Sequence, residues 1–163
     1  MPAFSPIRFQ KGHAMLLAGL RRRHEFVVAV PGTRAQWREF TQLPPFPGKN
    51  GDHTYGVLCG ASENDFEYLS GTEVTDFSSL PIGTGRMRVP AQHYAVFAHP
   101  DPQVPIQVTW SEIMLRWLPQ SGYQSAHTPD FEIYSPDFNH ETLQGRVEIW
   151  LSVAARPAGH NPA

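Results

Sequence analysis

The chain is predicted to be an α+β protein: two β-α-β-β half-domains related by a pseudo-twofold axis, with antiparallel sheets, helices packed on one side and a ligand cleft on the other. Three features carry this expectation. Strand-like and helix-like segments recur twice in one order, with a period of about seventy residues that is too long for a solenoid. Each half has a tryptophan at the matching point of its helix, in Ala35-Gln36-Trp37 and in Val108-Thr109-Trp110. The 163 residues, 40% apolar and 17% charged, are enough for one packed domain and no more. A single domain over residues 1–155 is therefore expected, with half-repeats near 7–76 and 84–154 and a polar, disordered tail at 156–163.

The first half opens with a long strand over residues 12–26, carrying Met15, Leu16, Leu17 and Leu20. Thr33 offers a helix cap before the run 35–40, and Leu43-Pro44-Pro45 ends that helix because proline supplies no backbone donor. A Pro/Gly/Asn loop leads to a strand over 55–59, turn residues fill 61–65, and 66–74 reads as the next strand. After a linker at 78–83 the second half begins with a strand over 86–99. Its helix spans about 106–118, where Trp110, Ile113, Met114 and Trp117 recur at i, i+3, i+4 and i+7, so that one stripe should be buried. Pro119 and Gly122 end it. Two short strands follow, Phe131-Glu132-Ile133-Tyr134 and Val147-Glu148-Ile149-Trp150-Leu151, separated by 135–145.

Those last two strands are the chemically informative ones. Side chains alternate across a strand, so Glu132 shares a face with Tyr134, and Glu148 shares one with Trp150 and Ser152. A carboxylate set into an aromatic wall is costly unless something compensates its charge. A flat, apolar cation would do so. A wet sheet face, or pairing with arginines, accounts for the same pattern.

Other classes are disfavoured. A net charge of −2 leaves no general footprint for nucleic acid, and Arg21-Arg22-Arg23 reads as a solvated strand end. No segment approaches the roughly 20 apolar residues of a membrane span. Cys59 is alone, which points to a reducing cytoplasm, and it reads as a small buried hydrophobe. The eight histidines show no metal-ligand spacing, and His99 falls at a turn suited to a capping or solvent role. No nucleophile elbow or phosphate loop is present, so neither cofactor nor metal is expected.

Seven phrases in order resemble the GyrI-like small-molecule-binding domain, the effector-binding domain of AraC-type and multidrug-sensing bacterial regulators, in its stand-alone form. They are Leu17-Ala18-Gly19-Leu20, Thr54-Tyr55-Gly56-Val57, the run from Phe66 to Val74, the run from Val89 to His99, the run from Trp117 to Tyr123, Pro129-Asp130-Phe131-Glu132-Ile133-Tyr134, and Val147-Glu148-Ile149-Trp150. The resemblance covers about Arg8 to Val153. It implies a duplicated β-α-β-β fold with a hydrophobic cleft holding one or two acidic residues, which takes bulky, often cationic and aromatic compounds. Some relatives carry a DNA-binding segment ahead of this domain. Others stand alone, including a gyrase-modulating protein and integron-borne drug binders, and a subset are hydrolases that open strained cyclopropane rings in toxins. Strand-like sequence from about Ile7 leads to the expectation of no helix-turn-helix within this chain, so a regulatory role would call on a DNA-binding or gyrase partner.

Residue pattern and resemblance meet at the two glutamates. The expected ligand-binding set is Glu148, Glu132, Trp150, Tyr134, Tyr68 and Trp110, with Tyr94 undecided and Trp37 and Trp117 assigned to core packing. Glu148 ranks first because its strand is the more apolar, so desolvation should raise its pKa. The favoured function is binding of a bulky hydrophobic cation for drug or toxin sensing or sequestration. The alternatives are hydrolysis of an electrophilic toxin, with Glu148 as base and Tyr134 or Tyr68 as hydrogen-bond donor, and a transcription- or gyrase-modulating interaction protein.

Overall fold

A computed structural model describes residues 4–157. Its strands are β1 (Arg8–Gly12), β2 (Met15–Glu25), β3 (Thr54–Cys59), β4 (Asp65–Val74), β5 (Gly85–Val89), β6 (Gln92–Ala98), β7 (Tyr123–Ser125), β8 (Asp130–Tyr134) and β9 (Val147–Ala155). All pair antiparallel, in the order β1-β6-β9-β8-β3-β4-β2-β5, with β7 joining the C-terminal end of β9. Helix α1 (Ala29–Thr41) connects β2 to β3. Helix α2 (Ile106–Glu112) continues through a π-helical turn, Ile113–Trp117, into the short α3 (Leu118–Gln120).

The order is symmetric about β8 and β3, which meet at the centre. From there the sheet runs outwards through β9 and β6 on one side and through β4 and β2 on the other. The outermost strands are exchanged. β1, at the N-terminal end, edges β6, while β5, which follows the linker, edges β2. The mixed α+β class and the large antiparallel sheet are as the sequence predicts.

Three local expectations are corrected. The predicted strand 12–26 is the shorter β2, with a separate strand, β1, ahead of it across His13-Ala14, and 86–99 is two strands, β5 and β6, broken at Pro90, which has no N–H for a ladder. The first helix starts earlier than predicted, at Ala29. Pro31 sits in its first turn, where a missing donor costs nothing, and Thr33 bonds back to the Ala29 carbonyl at 2.8 Å instead of capping. Met114 lies 39% exposed although the helical stripe includes it, because the π turn alters the periodicity and leaves Ile113 facing inwards.

Both helices cover one face of the sheet. α1 lays Trp37 over Phe66, Tyr68 and Tyr134. The second helical segment packs Ile113 and Trp117 against Ala95, Phe97, Ile149 and Leu151. Among the described residues no helix covers the opposite face, yet Leu17, Val57 and Val96 are wholly buried there, among Met15, Tyr94, Phe131 and Trp150. Curvature of the sheet therefore closes this second core. Arg21, Arg22 and Arg23 are spent in ion pairs with Glu67, Glu39 and Asp65. Of the expected tail, Arg156 is tied down, its Nε donating to the Tyr123 carbonyl at 2.9 Å; residues 158–163 lie outside the described residues.

Candidate functional site

Between the two helices, above the central strands, the helix-bearing face is not filled. A cavity of about 240 Å³ opens there. It thus lies between helices and sheet, rather than on the side of the sheet away from the helices. α1 contributes Val30, Thr33, Arg34 and Trp37, spaced i, i+3, i+4 and i+7, so one helical stripe forms a wall. α2 contributes Ile106, Gln107 and Trp110 to the facing wall. The floor is Tyr68 from β4 with Glu132 and Tyr134 from β8, and the 135–145 connection adds Phe138 and His140.

Glu132 is the polar centre of this floor and is only 3% exposed. Tyr68 donates its hydroxyl to Oε1 at 2.7 Å and Tyr134 donates to the same oxygen at 2.6 Å. The Trp110 indole N–H donates to Oε2 at 2.9 Å. The Trp37 indole N–H reaches the Tyr68 hydroxyl at 3.0 Å. The two tryptophans matched by the repeat therefore converge on one carboxylate, one directly and one through a tyrosine. Among the described residues no cationic side chain pairs with Glu132. Burial pushes its pKa up, while the three donated hydrogen bonds pull it back. Burial, and then the neighbouring carboxylate, raise both phenols well above their ordinary value, which keeps them protonated donors.

Gly56 makes this cluster possible. It lies directly opposite Glu132 in the β3–β8 register. A Cβ placed there would overlap the Tyr68 hydroxyl and come within 2.5 Å of Glu132 Oε1. The absent side chain is the space the network occupies. Two histidines complete the lining. His140 stacks on Trp37 with ring centres 3.9 Å apart and planes 13° apart, and burial lowers its pKa to about 4. His99, half-buried, holds Thr109 Oγ1 at 2.8 Å and the Val104 carbonyl at 3.0 Å, and burial lowers its pKa too. His99 thus braces the approach to α2 instead of facing solvent.

Of the residues singled out from sequence, Glu132, Tyr134, Tyr68 and Trp110 come together around the cavity, whereas Glu148 and Trp150 do not. The β8–β9 register sets Glu132 beside Ile149 and Ile133 beside Glu148, so the two carboxylates project from opposite faces. On its face Glu148 accepts a two-pronged contact from Arg8, at 2.8 and 2.9 Å, and the Trp150 indole N–H at 3.1 Å. The Arg8 guanidinium also lies 5.6 Å from the Trp150 ring centre. This bonding holds the Glu148 carboxyl below its ordinary range, the reverse of the desolvation-driven rise expected for it. In burial and freedom from a cationic partner the order of the two acids is the reverse of that expected, and Glu148 and Tyr134 are not brought together as a base-and-donor pair. Tyr94 sits in the second core against Phe131 and Trp150.

Trp37, Gly56, Arg34 and His140 were not singled out as site residues. For Trp37 a signal existed: its match to Trp110 in the repeat. Gly56 stood inside a family phrase without a stated role, and His140 sits in an irregular connection where periodicity offers nothing.

Comparisons with known proteins agree with this fold. The profile of the family described as Cass2, integron-associated effector-binding protein, matches residues 13–153. Over 85 residues the chain is 33% identical to the transcriptional regulator BrlR of Pseudomonas aeruginosa, a match covering 52% of this chain but only 32% of the regulator. An integron cassette protein of Vibrio cholerae has a similar fold, with a TM-score of 0.68 and 20% identity over 93% of this chain and 97% of that one. So does SAV2435 in its complex with tetraphenylphosphonium, with a TM-score of 0.68 and 15% identity over 90% and 93% of the two chains. With the α+β fold, the cavity and this family match in hand, the chain belongs to the integron-associated effector-binding protein family, as a GyrI-like small-molecule-binding effector domain.

Proposed function

We propose that this domain binds bulky, hydrophobic, cationic aromatic molecules in the cavity between its helices, with Glu132 as the buried countercharge, and so senses or sequesters drugs or toxins. The observation that carries the reading is a carboxylate 3% exposed, bonded by three donors and unpaired with any cation among the described residues, on the floor of an aromatic cavity. Such a charge is poorly compensated by neutral donors alone. A cation arriving with its own apolar surface supplies the missing charge and replaces water on the walls. Stacking on the indoles of Trp37 or Trp110 would add about 0.5–2 kcal/mol. The like-folded protein bound to tetraphenylphosphonium supports this ligand class.

The test is titration with tetraphenylphosphonium, followed by tryptophan fluorescence. Saturable quenching is expected, and Glu132→Gln should weaken binding by about 2–5 kcal/mol. Equal affinity in that variant, with its fold verified by circular dichroism, would rule out Glu132 as the countercharge. Hydrolysis of an electrophilic toxin is the competing reading, and Glu132 with the Tyr134 hydroxyl at 2.6 Å is the acid–phenol pair the cavity presents for it. Product released from a cyclopropane-containing toxin, and lost in Glu132→Gln, would decide for that reading.

A further inference from the structure

The cavity carries a second charge, of the opposite sign. Arg34 lines it from α1, and among the described residues its guanidinium makes no ion pair and no side-chain hydrogen bond. Arg8, Arg21, Arg22 and Arg23, by contrast, are each held by a carboxylate. Arg34 precedes Trp37 by three residues, about 4.5 Å along the helix axis, on the stripe that faces the cavity. Trp37 reaches the Glu132 cluster through Tyr68, whereas Arg34, one helical turn along α1, is exposed and so lines the cavity at its solvent rim. On the opposite helix Gln107 holds the matching position, three residues before Trp110, and also lines the cavity. The histidines on the wall are kept neutral by burial, which leaves Glu132 and Arg34 as the charged side chains of the lining among the described residues.

We infer that the preferred ligands are amphoteric: an aromatic body with a cationic centre seated against Glu132 and an anionic or strongly accepting group directed to Arg34 at the rim. This rests on the reading of Glu132 as countercharge and narrows it. A ligand with only a cation meets attraction at the floor and repulsion at the rim. A dipolar one meets attraction at both. Because Arg34 is exposed, its contribution is that of a solvent-screened pair, a gain on the order of two- to fivefold in affinity.

A matched pair of dyes tests this: rhodamine B, which carries a free carboxylate, and its ethyl ester, which is a cation only. Binding is measured by fluorescence anisotropy to the full chain, to Arg34→Gln and to Glu132→Gln. Arg34→Gln changes an exposed residue outside the floor network, so the fold is retained. In this variant the acid dye is expected to bind two- to fivefold more weakly, while the ester binds equally well or slightly better. Raising salt should erase the difference. If Arg34→Gln shifts both dyes equally, or shifts neither, while ester binding still depends on Glu132, the amphoteric inference is wrong and the cation reading stands. If ester binding is absent or indifferent to Glu132→Gln, both are overturned.

Discussion

Replacing Gly56 by alanine perturbs the site from behind, without removing any group that a ligand would contact. The added methyl overlaps the Tyr68 hydroxyl and stands 2.5 Å from Glu132 Oε1 and 2.8 Å from the Tyr68 ring carbon that bears the hydroxyl. These neighbours are fully buried and linked to one another, so the strain has no flexible surface side chain to absorb it. Either Tyr68 withdraws by on the order of 1 Å, or β3 moves away from β8. Withdrawal breaks a charge-assisted bond of 2.7 Å and loosens the Trp37 contact of 3.0 Å. A buried hydrogen bond to a charged group contributes about 1.5–3 kcal/mol, and overpacking costs about 1–3 kcal/mol. Gly56→Ala should therefore lower stability by roughly 2–4 kcal/mol, because the two effects overlap at one contact and do not sum fully. Urea unfolding followed by tryptophan fluorescence measures this, and cation affinity is expected to fall in parallel. A variant within about 0.5 kcal/mol of the parent, with unchanged affinity, would show that the Tyr68–Glu132 contact is not as tight as described.

Two further outcomes follow from the electrostatics. Glu148→Gln weakens the Arg8 contact on the opposite face, where both side chains are about a third or more exposed. It should cost no more than about 1 kcal/mol in stability and leave tetraphenylphosphonium affinity unchanged; a large loss of affinity would return Glu148 to the binding site. Asp130, buried and bonded to Ser152, has its pKa pushed up to about 6, with burial the main cause. A carboxyl raised in the folded state stabilises the fold fully below its unfolded pKa of about 4, and that contribution is lost as pH rises through 6. Relative to Asp130→Asn, the parent should lose stability on the order of 3 kcal/mol between pH 4 and pH 7, read from paired urea titrations. Parallel pH profiles for the two proteins would contradict this.

Much of the candidate site's local geometry is legible in short-range pattern, and what is not legible is long-range. Alternation in Phe131-Glu132-Ile133-Tyr134 correctly pairs Glu132 with Tyr134 on one face, because strand geometry leaves no other arrangement. The duplicated helix tryptophans were visible as a repeat, although their convergence on one carboxylate was not. The pairing of Glu148 is not legible because its partner, Arg8, lies 140 positions away and arrives through an exchanged edge strand. An apolar strand with one acid looks the same whether that acid meets a ligand or an arginine from elsewhere. Pro90 could have signalled the break between β5 and β6, since a central strand rejects proline. The early start of α1 was hidden by Pro31-Gly32, residues that usually mark a turn and here occupy a first helical turn.

A buried Glu132 carboxylate that awaits a cation should reveal itself in its own titration. With carbon-13-labelled glutamate, the Glu132 carboxyl shift is followed against pH, with and without tetraphenylphosphonium, and assigned by its loss in Glu132→Gln. In the free protein the midpoint should lie above that of an ordinary glutamate, and saturation with the cation should move it down. By linkage, affinity should fall as pH drops through that midpoint. A midpoint that the cation leaves unmoved would mean that Glu132 is not its countercharge.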